Sequence, residues 1–212
     1  MATLLEAPLL SSPDDSRGDE YELDARSNGT LMTPEEFDAV EDYDREYRYE
    51  LIHGVVIVNP IPGGGQNSPN DRLGHFFWQY VELHPQGGVI DETLPEQYVY
   101  LLNGTRRIAD RLVWTGLGRA PDLRQDVPTI AIEFNSKRRR DRRRDYETKR
   151  DEYLSVGIRE YWVIDRFRRT LTIFRRGEEI VLKETENYTT ALLPGFELPL
   201  AKLLAFADRY PQ

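Results

Sequence analysis

Two apolar β-type runs with a charged, helix-patterned stretch between them constrain this chain more than any other feature. Pro128 to Phe134 and Glu160 to Asp165 are short, rich in β-branched and aromatic residues, and bounded by turn signals. Between them, roughly Asp141 to Val156 carries a charged helical pattern that stops at Gly157, the usual C-terminal position for glycine. A strand, a helix of this length and a strand suit a crossover within one mixed sheet, normally right-handed.

The rest of the chain supplies neighbours for such a sheet. Thr33-Pro34-Glu35-Glu36 is a capping box, with Thr33 as N-cap, Pro34 at the first helical position and Glu36 three residues after the cap. Tyr49 to Val58 reads as a strand or strand pair interrupted at Gly54. Pro60 to Pro69, rich in Gly and Pro, reads as a loop, and an amphipathic helix is expected from Pro69 onward, capped by Ser68 or Asn70. Gln97–Leu102 and Arg107–Trp114 flank Asn103-Gly104, a strong hairpin turn. Residues 115–127 read as a loop, Thr170–Phe174 and Glu179–Lys183 as a further hairpin across Arg176-Gly177, and Leu200–Ala207 as a closing helix. The fold class is therefore α/β (α+β), a mixed central β-sheet flanked by helices. Residues 1–30 mix Ser, Pro, Asp, Gly and Arg without periodicity and are expected to form an acidic flexible tail, leaving residues 31–212 as one domain.

Composition excludes several function classes. There is no cysteine among the 212 residues, so disulfides, thiolate metal sites and a cysteine nucleophile are ruled out. No apolar run approaches the roughly 18–20 residues of a membrane span, so a cytoplasmic protein with no membrane partner is expected. The net charge of −9 conceals an asymmetry: residues 1–60 hold 15 acidic and 4 basic side chains. Lys137 to Arg150 instead holds 9 basic and 3 acidic residues, enough to neutralise several phosphates. Its arginines, Arg138, Arg139, Arg140, Arg142, Arg143 and Arg144, either form a solvated face or grip a nucleic-acid backbone through bidentate phosphate contacts.

Two acids sit inside otherwise apolar strands, Asp110 in Arg107–Trp114 and Glu133 in Thr129–Phe134. On one face of neighbouring strands, like charges about 5 Å apart demand a proton or a cation between them. Magnesium suits such a pair because it takes hard oxygen ligands and keeps several waters. Otherwise each acid faces solvent at a strand end and pairs with an arginine, Asp110 with Arg107 or Arg111. Lys149 lies four residues after Asp145 on the same helix face, where it either faces the carboxylates or forms an exposed salt bridge. Glu50 is a third acid near the pair or simply part of the acidic front. His53, His75 and His84 lack metal-ligand spacing, Gly63-Gly64-Gly65 lacks the lysine and hydroxyl of a phosphate loop, and the aromatics Trp78, Tyr80, Tyr161 and Trp162 are assigned to the core.

Tyr49-Glu50-Leu51-Ile52-x-Gly54, the Asp110 strand, Ile130-Ala131-Ile132-Glu133-Phe134-x-Ser136, Asp145-x-x-x-Lys149 and Tyr153-x-x-x-Gly157-Ile158-x-Glu160-Tyr161-Trp162 together resemble the Uma-two-type restriction endonucleases, the DUF-eight-twenty family of the PD-(D/E)XK nuclease superfamily. The likeness spans about residues 31–206 and implies a restriction-endonuclease-like fold. It further implies an endonuclease that hydrolyses DNA phosphodiester bonds with Mg²⁺ or Mn²⁺. Asp110, Glu133 and the carbonyl of Phe134 would hold the metal, Glu50 would be an additional acid, and Lys149 on the helix would replace the lysine expected two residues after Glu133, where Asn135 stands. Ala109 replaces the proline of the proline–aspartate motif, the histidine many members carry after the Gly/Pro loop has no clear equivalent near Asn70 or Asp71, and Pro121-Asp122 is set aside as a loop pair. A catalytically inactive nucleic-acid-binding or protein-interaction module of the same fold is the alternative, and acid–base hydrolysis of a small substrate a third. A homodimer that cuts both strands is left open.

Overall fold

The computed structural model describes residues 22–135 and 144–210, with the backbone alone for Arg144 and Asp145. In chain order the elements are β1 (Glu22–Leu23), α1 (Pro34–Asp38), β2 (Asp42–Tyr43), β3 (Tyr47–Ile52), β4 (Val55–Pro60), α2 (Gly64–Leu83), β5 (Ile90–Tyr100), β6 (Arg106–Thr115) and β7 (Ile130–Phe134). A π-helical turn, Arg144–Thr148, leads into α3 (Lys149–Ser155). Then come β8 (Glu160–Asp165), β9 (Thr170–Arg175), β10 (Glu178–Lys183), β11 (Tyr188–Thr190), β12 (Leu193–Leu198) and α4 (Leu200–Ala207).

Eight strands form one sheet in the order β10-β9-β8-β7-β6-β3-β4, with β5 added on β6. Within this sheet β7 and β8 are the one parallel pair among the described residues, as the crossover reading requires. Because side chains alternate across a pleated strand, neighbouring residues of β6 and β7 feed opposite cores. Val113, Ile130 and Ile132 pack with Leu73 and Phe77 of α2 and Leu203 and Leu204 of α4. Leu112 and Ala131 pack with Tyr153 of α3 and Tyr161 of β8. Every residue of β7 and β8 is buried, which explains their nearly unbroken apolar sequences.

The structure differs from the sequence reading in four places. The helix expected from Pro69 begins five residues earlier, at Gly64. Proline lies close enough to the N-terminus to remove only one intrahelical bond, and a Cβ on Gly64 would run into the Tyr210 ring, so the glycine is there for close packing rather than for a loop. Ser68 and Asn70 are consequently inside the helix and not its cap. Residues 1–21 of the expected tail lie outside the described residues, but residues 22–30 are built into the molecule. Leu23 is 5% exposed, Asp24 caps a short 3-10 turn, and the Gly29 N–H donates to the Val56 carbonyl at 2.8 Å. The first half of β5, and β1, β2, β11 and β12, had no recognisable pattern. Trp78, assigned to the core, is 42% exposed, whereas Tyr80, Tyr161 and Trp162 are buried.

Candidate active site at a fork in the sheet

The central strand β6 is covered along one edge by β5, from Tyr100 opposite Arg106 to Ile90 opposite Thr115. Its other edge is shared. β3 reaches it only at Arg106, opposite Leu51, and β7 pairs only with Arg111, Leu112 and Val113. Between these contacts the sheet forks, and the backbone groups on this edge from Arg107 to Asp110 need partners other than a strand. Side chains supply them. Glu50 Oε1 accepts the Ile108 N–H at 3.0 Å, Lys149 Nζ donates to the Ile108 carbonyl at 3.1 Å, and Asn70 Nδ2 donates to the Asp110 carbonyl at 2.7 Å.

Both strand acids lie at this fork. One register step beyond the Arg111–Ile132 pair sets Asp110 against Glu133, and the Asp110 carboxylate accepts the Phe134 N–H through Oδ2 at 2.7 Å. Asp110 is 6% exposed and Glu133 5%, so neither faces solvent at a strand end. Glu133 Oε1 accepts from Lys149 Nζ at 2.6 Å and from the Tyr153 hydroxyl at 3.3 Å. Lys149, the first residue of α3, is 3% exposed, which removes the surface salt-bridge reading. Glu50, 4% exposed, also accepts from Asn59 Nδ2 at 3.2 Å. Glu50, Asp110, Glu133 and Lys149 are thus brought together around the peptides of Ile108 and Phe134.

Two arginines near the acids pair with carboxylates, Arg48 partly buried and Arg107 buried. Arg48 Nη1 donates to Asp110 Oδ1 at 3.3 Å, and its guanidinium also pairs with Glu96, which occupies the left-handed region at φ 54°. Burial works to lower the Arg48 pKa, and these two carboxylates more than offset it. Arg107 is held by Glu152, with Nε to Oε2 at 2.7 Å. Arg111 does not pair with Asp110. It bonds Asn70 Oδ1 through Nε at 2.8 Å and Thr93 Oγ1 through Nη1 at 3.2 Å, and burial lowers its pKa to about 10.

Among the described residues no three or more His, Cys, Asp or Glu side chains form a ready-made metal cluster. Magnesium, however, commonly takes one or two carboxylates and completes its shell with water. Asp110 and Glu133 supply such hard oxygen donors from adjoining strands. The Phe134 carbonyl accepts Gln66 Nε2 at 2.9 Å, and a carbonyl oxygen has a second lone pair to offer. The donor chemistry fits. Asn135, where the superfamily lysine is expected, turns instead to β8, with Nδ2 donating to Asp165 Oδ2 at 2.9 Å. Asp122 stays in its loop, accepting from Gln125 and the Arg124 N–H.

Arg48 and Gln66 have no place in the sequence reading, Asn70 enters it only as a helix cap or the position of the family histidine, and Tyr153 only as part of the family pattern. Two carried a usable signal: Arg48 shares a β3 face with Glu50 by alternation, and Tyr153 follows Lys149 by one helical turn. Arg138, Arg139, Arg140, Arg142 and Arg143 lie outside the described residues, as does the Arg144 side chain.

The chain belongs to the Uma2 family, described as "Putative restriction endonuclease", whose model matches residues 34–201. No curated protein matches it. Among solved structures it is similar to a "putative nuclease belonging to DUF820" from Anabaena variabilis ATCC 29413, determined at 1.96 Å. The TM-score is 0.67 at 18% identity, covering 83% of this chain and 99% of that one. The likeness is one of fold, a mixed sheet flanked by helices. No helix among the described residues is long and apolar enough to cross a membrane.

Proposed function

We propose that this chain is a divalent-metal-dependent nuclease that hydrolyses phosphodiester bonds in DNA, carried by a single domain to which residues 22–30 belong along with those expected from residue 31 onward. The observation that carries the reading is the meeting of Asp110 and Glu133 on adjoining strands with the Lys149 ammonium 2.6 Å from Glu133. Asp110 and Glu133, with the Phe134 carbonyl, would hold Mg²⁺ or Mn²⁺. A cation held there supplies Lewis acidity toward a phosphate oxygen and lowers the pKa of its bound water. Lys149 orients the attacking water or stabilises charge on the phosphoryl oxygens, helped by Tyr153, which shares its carboxylate partner. Glu50 keeps Lys149 in place by fixing the N–H of the residue whose carbonyl Lys149 holds, Ile108. Arginines 138–140 and 142–144 grip the backbone without reading sequence.

A second reading is favoured by one observation: Glu50 and Lys149 satisfy backbone groups at the fork, a role that needs no catalysis. In an inert binding module of this fold the same residues would be retained as wedges. Plasmid nicking with Mg²⁺ separates the two. The nuclease reading expects Glu133→Gln to abolish nicking while the variant folds, and Asp110→Asn to lose Mn²⁺ binding by calorimetry. Nicking that survives in Glu133→Gln, or Mn²⁺ affinity indifferent to Asp110→Asn, would favour the inert module.

A further inference from the structure

Beside the fork lies a cavity of about 460 Å³ that none of the proposed chemistry uses. Its walls include the rings of Phe37, Tyr43, Tyr47, Tyr98 and Tyr100, and its size is that of a small-ligand cleft. Arg48 and Ile108 belong to both places. Arg48 lines the cavity and bonds Asp110 at 3.3 Å, while Ile108 lines it and offers its peptide to Glu50 and Lys149. The rings are held rigidly, since the Tyr98 hydroxyl donates to the Tyr49 carbonyl at 2.8 Å and Phe37 stands edge-on to Tyr98. Tyr43 is the exception. It is 48% exposed at the wall, touching Tyr49 edge-on at 6.2 Å.

The charges around the cavity point to an anion. Both lining acids are already paired, Asp38 with Arg106 at 2.9 Å and Glu96 with Arg48. Arg45 and Arg124 are exposed on its lining. Aromatic faces flanked by arginines are what nucleobases stack on, with the guanidinium groups taking the adjoining phosphates. A base still paired within a duplex cannot enter such a recess, so its occupant must be unstacked.

We propose that this cavity is a subsite for one unpaired nucleotide next to the scissile phosphate, which makes single-stranded DNA, or duplex DNA with an unpaired nucleotide, the preferred substrate class. The inference rests on the nuclease reading for its placement beside the cut, but its test does not depend on cleavage. The probe is a short single-stranded oligonucleotide with one 2-aminopurine, compared with the same oligonucleotide annealed to its complement, with Ca²⁺ replacing Mg²⁺. Anisotropy should show the full chain binding the single strand at least about tenfold more tightly, with 2-aminopurine fluorescence quenched by stacking. Tyr43→Ala should weaken single-strand binding by about tenfold, collapsing the preference and the quenching, whereas Tyr43→Phe retains both. Arg45→Ala should weaken single-strand binding and flatten its salt dependence. Equal affinity for the two forms, binding of neither, or Tyr43→Ala weakening both alike would overturn the proposal. Single-strand preference without metal-dependent cleavage would leave the subsite standing and remove the nuclease; cleavage without strand preference would do the reverse.

Discussion

Replacing Lys149 by methionine tests the most exposed consequence of the site geometry. Lys149 and Glu133 are 3% and 5% exposed, with nitrogen and oxygen 2.6 Å apart. Solvent therefore screens the pair very little, and methionine fills similar volume without the charge. Removing one partner of a buried pair leaves the other as an unpaired buried charge, at a cost of about 3–5 kcal/mol. The Ile108 carbonyl also loses its donor. For a chain of this length that corresponds to a fall in Tm of about 6–20 °C, a large part of the total stability of a typical domain, about 5–15 kcal/mol. Urea unfolding is the assay, followed by the fluorescence of Trp114 and Trp162, 1% and 0% exposed in the native state. The double variant Glu133→Gln, Lys149→Met should be more stable than the sum of the single costs, because no charge is left behind. Mn²⁺ should then raise the midpoint of Lys149→Met more than that of the parent, since a bound cation replaces the missing positive charge. A single variant within about 1 kcal/mol of the parent would refute the reasoning, because that is the worth of an exposed pair.

Asn70→Ala should destabilise by about 2–3 kcal/mol, since it removes the acceptor of a buried charged donor, Arg111 Nε, and the donor to the Asp110 carbonyl. A midpoint unchanged in urea would show that water takes over both bonds. Burial raises the Tyr188 hydroxyl to about 12, helped by the neighbouring Glu160 carboxylate. The unfolded chain loses this proton near pH 10 and the folded chain about two units later, so the stability it contributes is intact below pH 10 and drains away between pH 10 and 12. Tyr188→Phe should have a shallower alkaline slope in that window, read from Tm against pH; an identical slope would contradict the assignment.

How much of this was legible in the sequence depended on whether the deciding interaction was local. The capping box is a pattern of four residues, and both of its bonds are present: the Glu36 N–H donates to Thr33 Oγ1 at 3.2 Å and the Thr33 N–H to Glu36 Oε2 at 2.7 Å. The strand Glu160–Asp165 and the helix Leu200–Ala207 coincide with their expected bounds for the same reason, since turn and periodicity signals lie within the segments themselves. The start of α2 did not, because Gly64 answers to Tyr210 and Gly65 to Arg166, both far along the chain. β5 hid because Pro95 and Glu96 interrupt it, and Glu96 answers to Arg48.

The site divides along the same line. Asp110 and Glu133 stood out because a carboxylate inside an apolar strand is a local anomaly that has to be explained. Arg48, Asn70 and Gln66 are unremarkable where they stand, and they reach their partners Asp110 and Phe134 across 62, 40 and 68 residues. The fork itself could not be read at all, since it arises from two strands sharing one edge of a third. Yet the fork is what gives the acids their setting. A continuous sheet would have capped Ile108 and Asp110 with backbone and left no place for Glu50, Lys149 and Asn70 to enter. Loss of function at Glu50 or Lys149 can therefore come from lost chemistry or from a collapsed fork, and the two are told apart by stability. Glu50→Gln keeps the oxygen that accepts from Ile108 and removes the charge together with the second oxygen, whose one bond, from Asn59 Nδ2, is the smaller loss. If Glu50 serves the reaction, that variant should keep its urea midpoint within about 1 kcal/mol of the parent while Mg²⁺-dependent nicking falls; parallel loss of both would make Glu50 a wedge and nothing more.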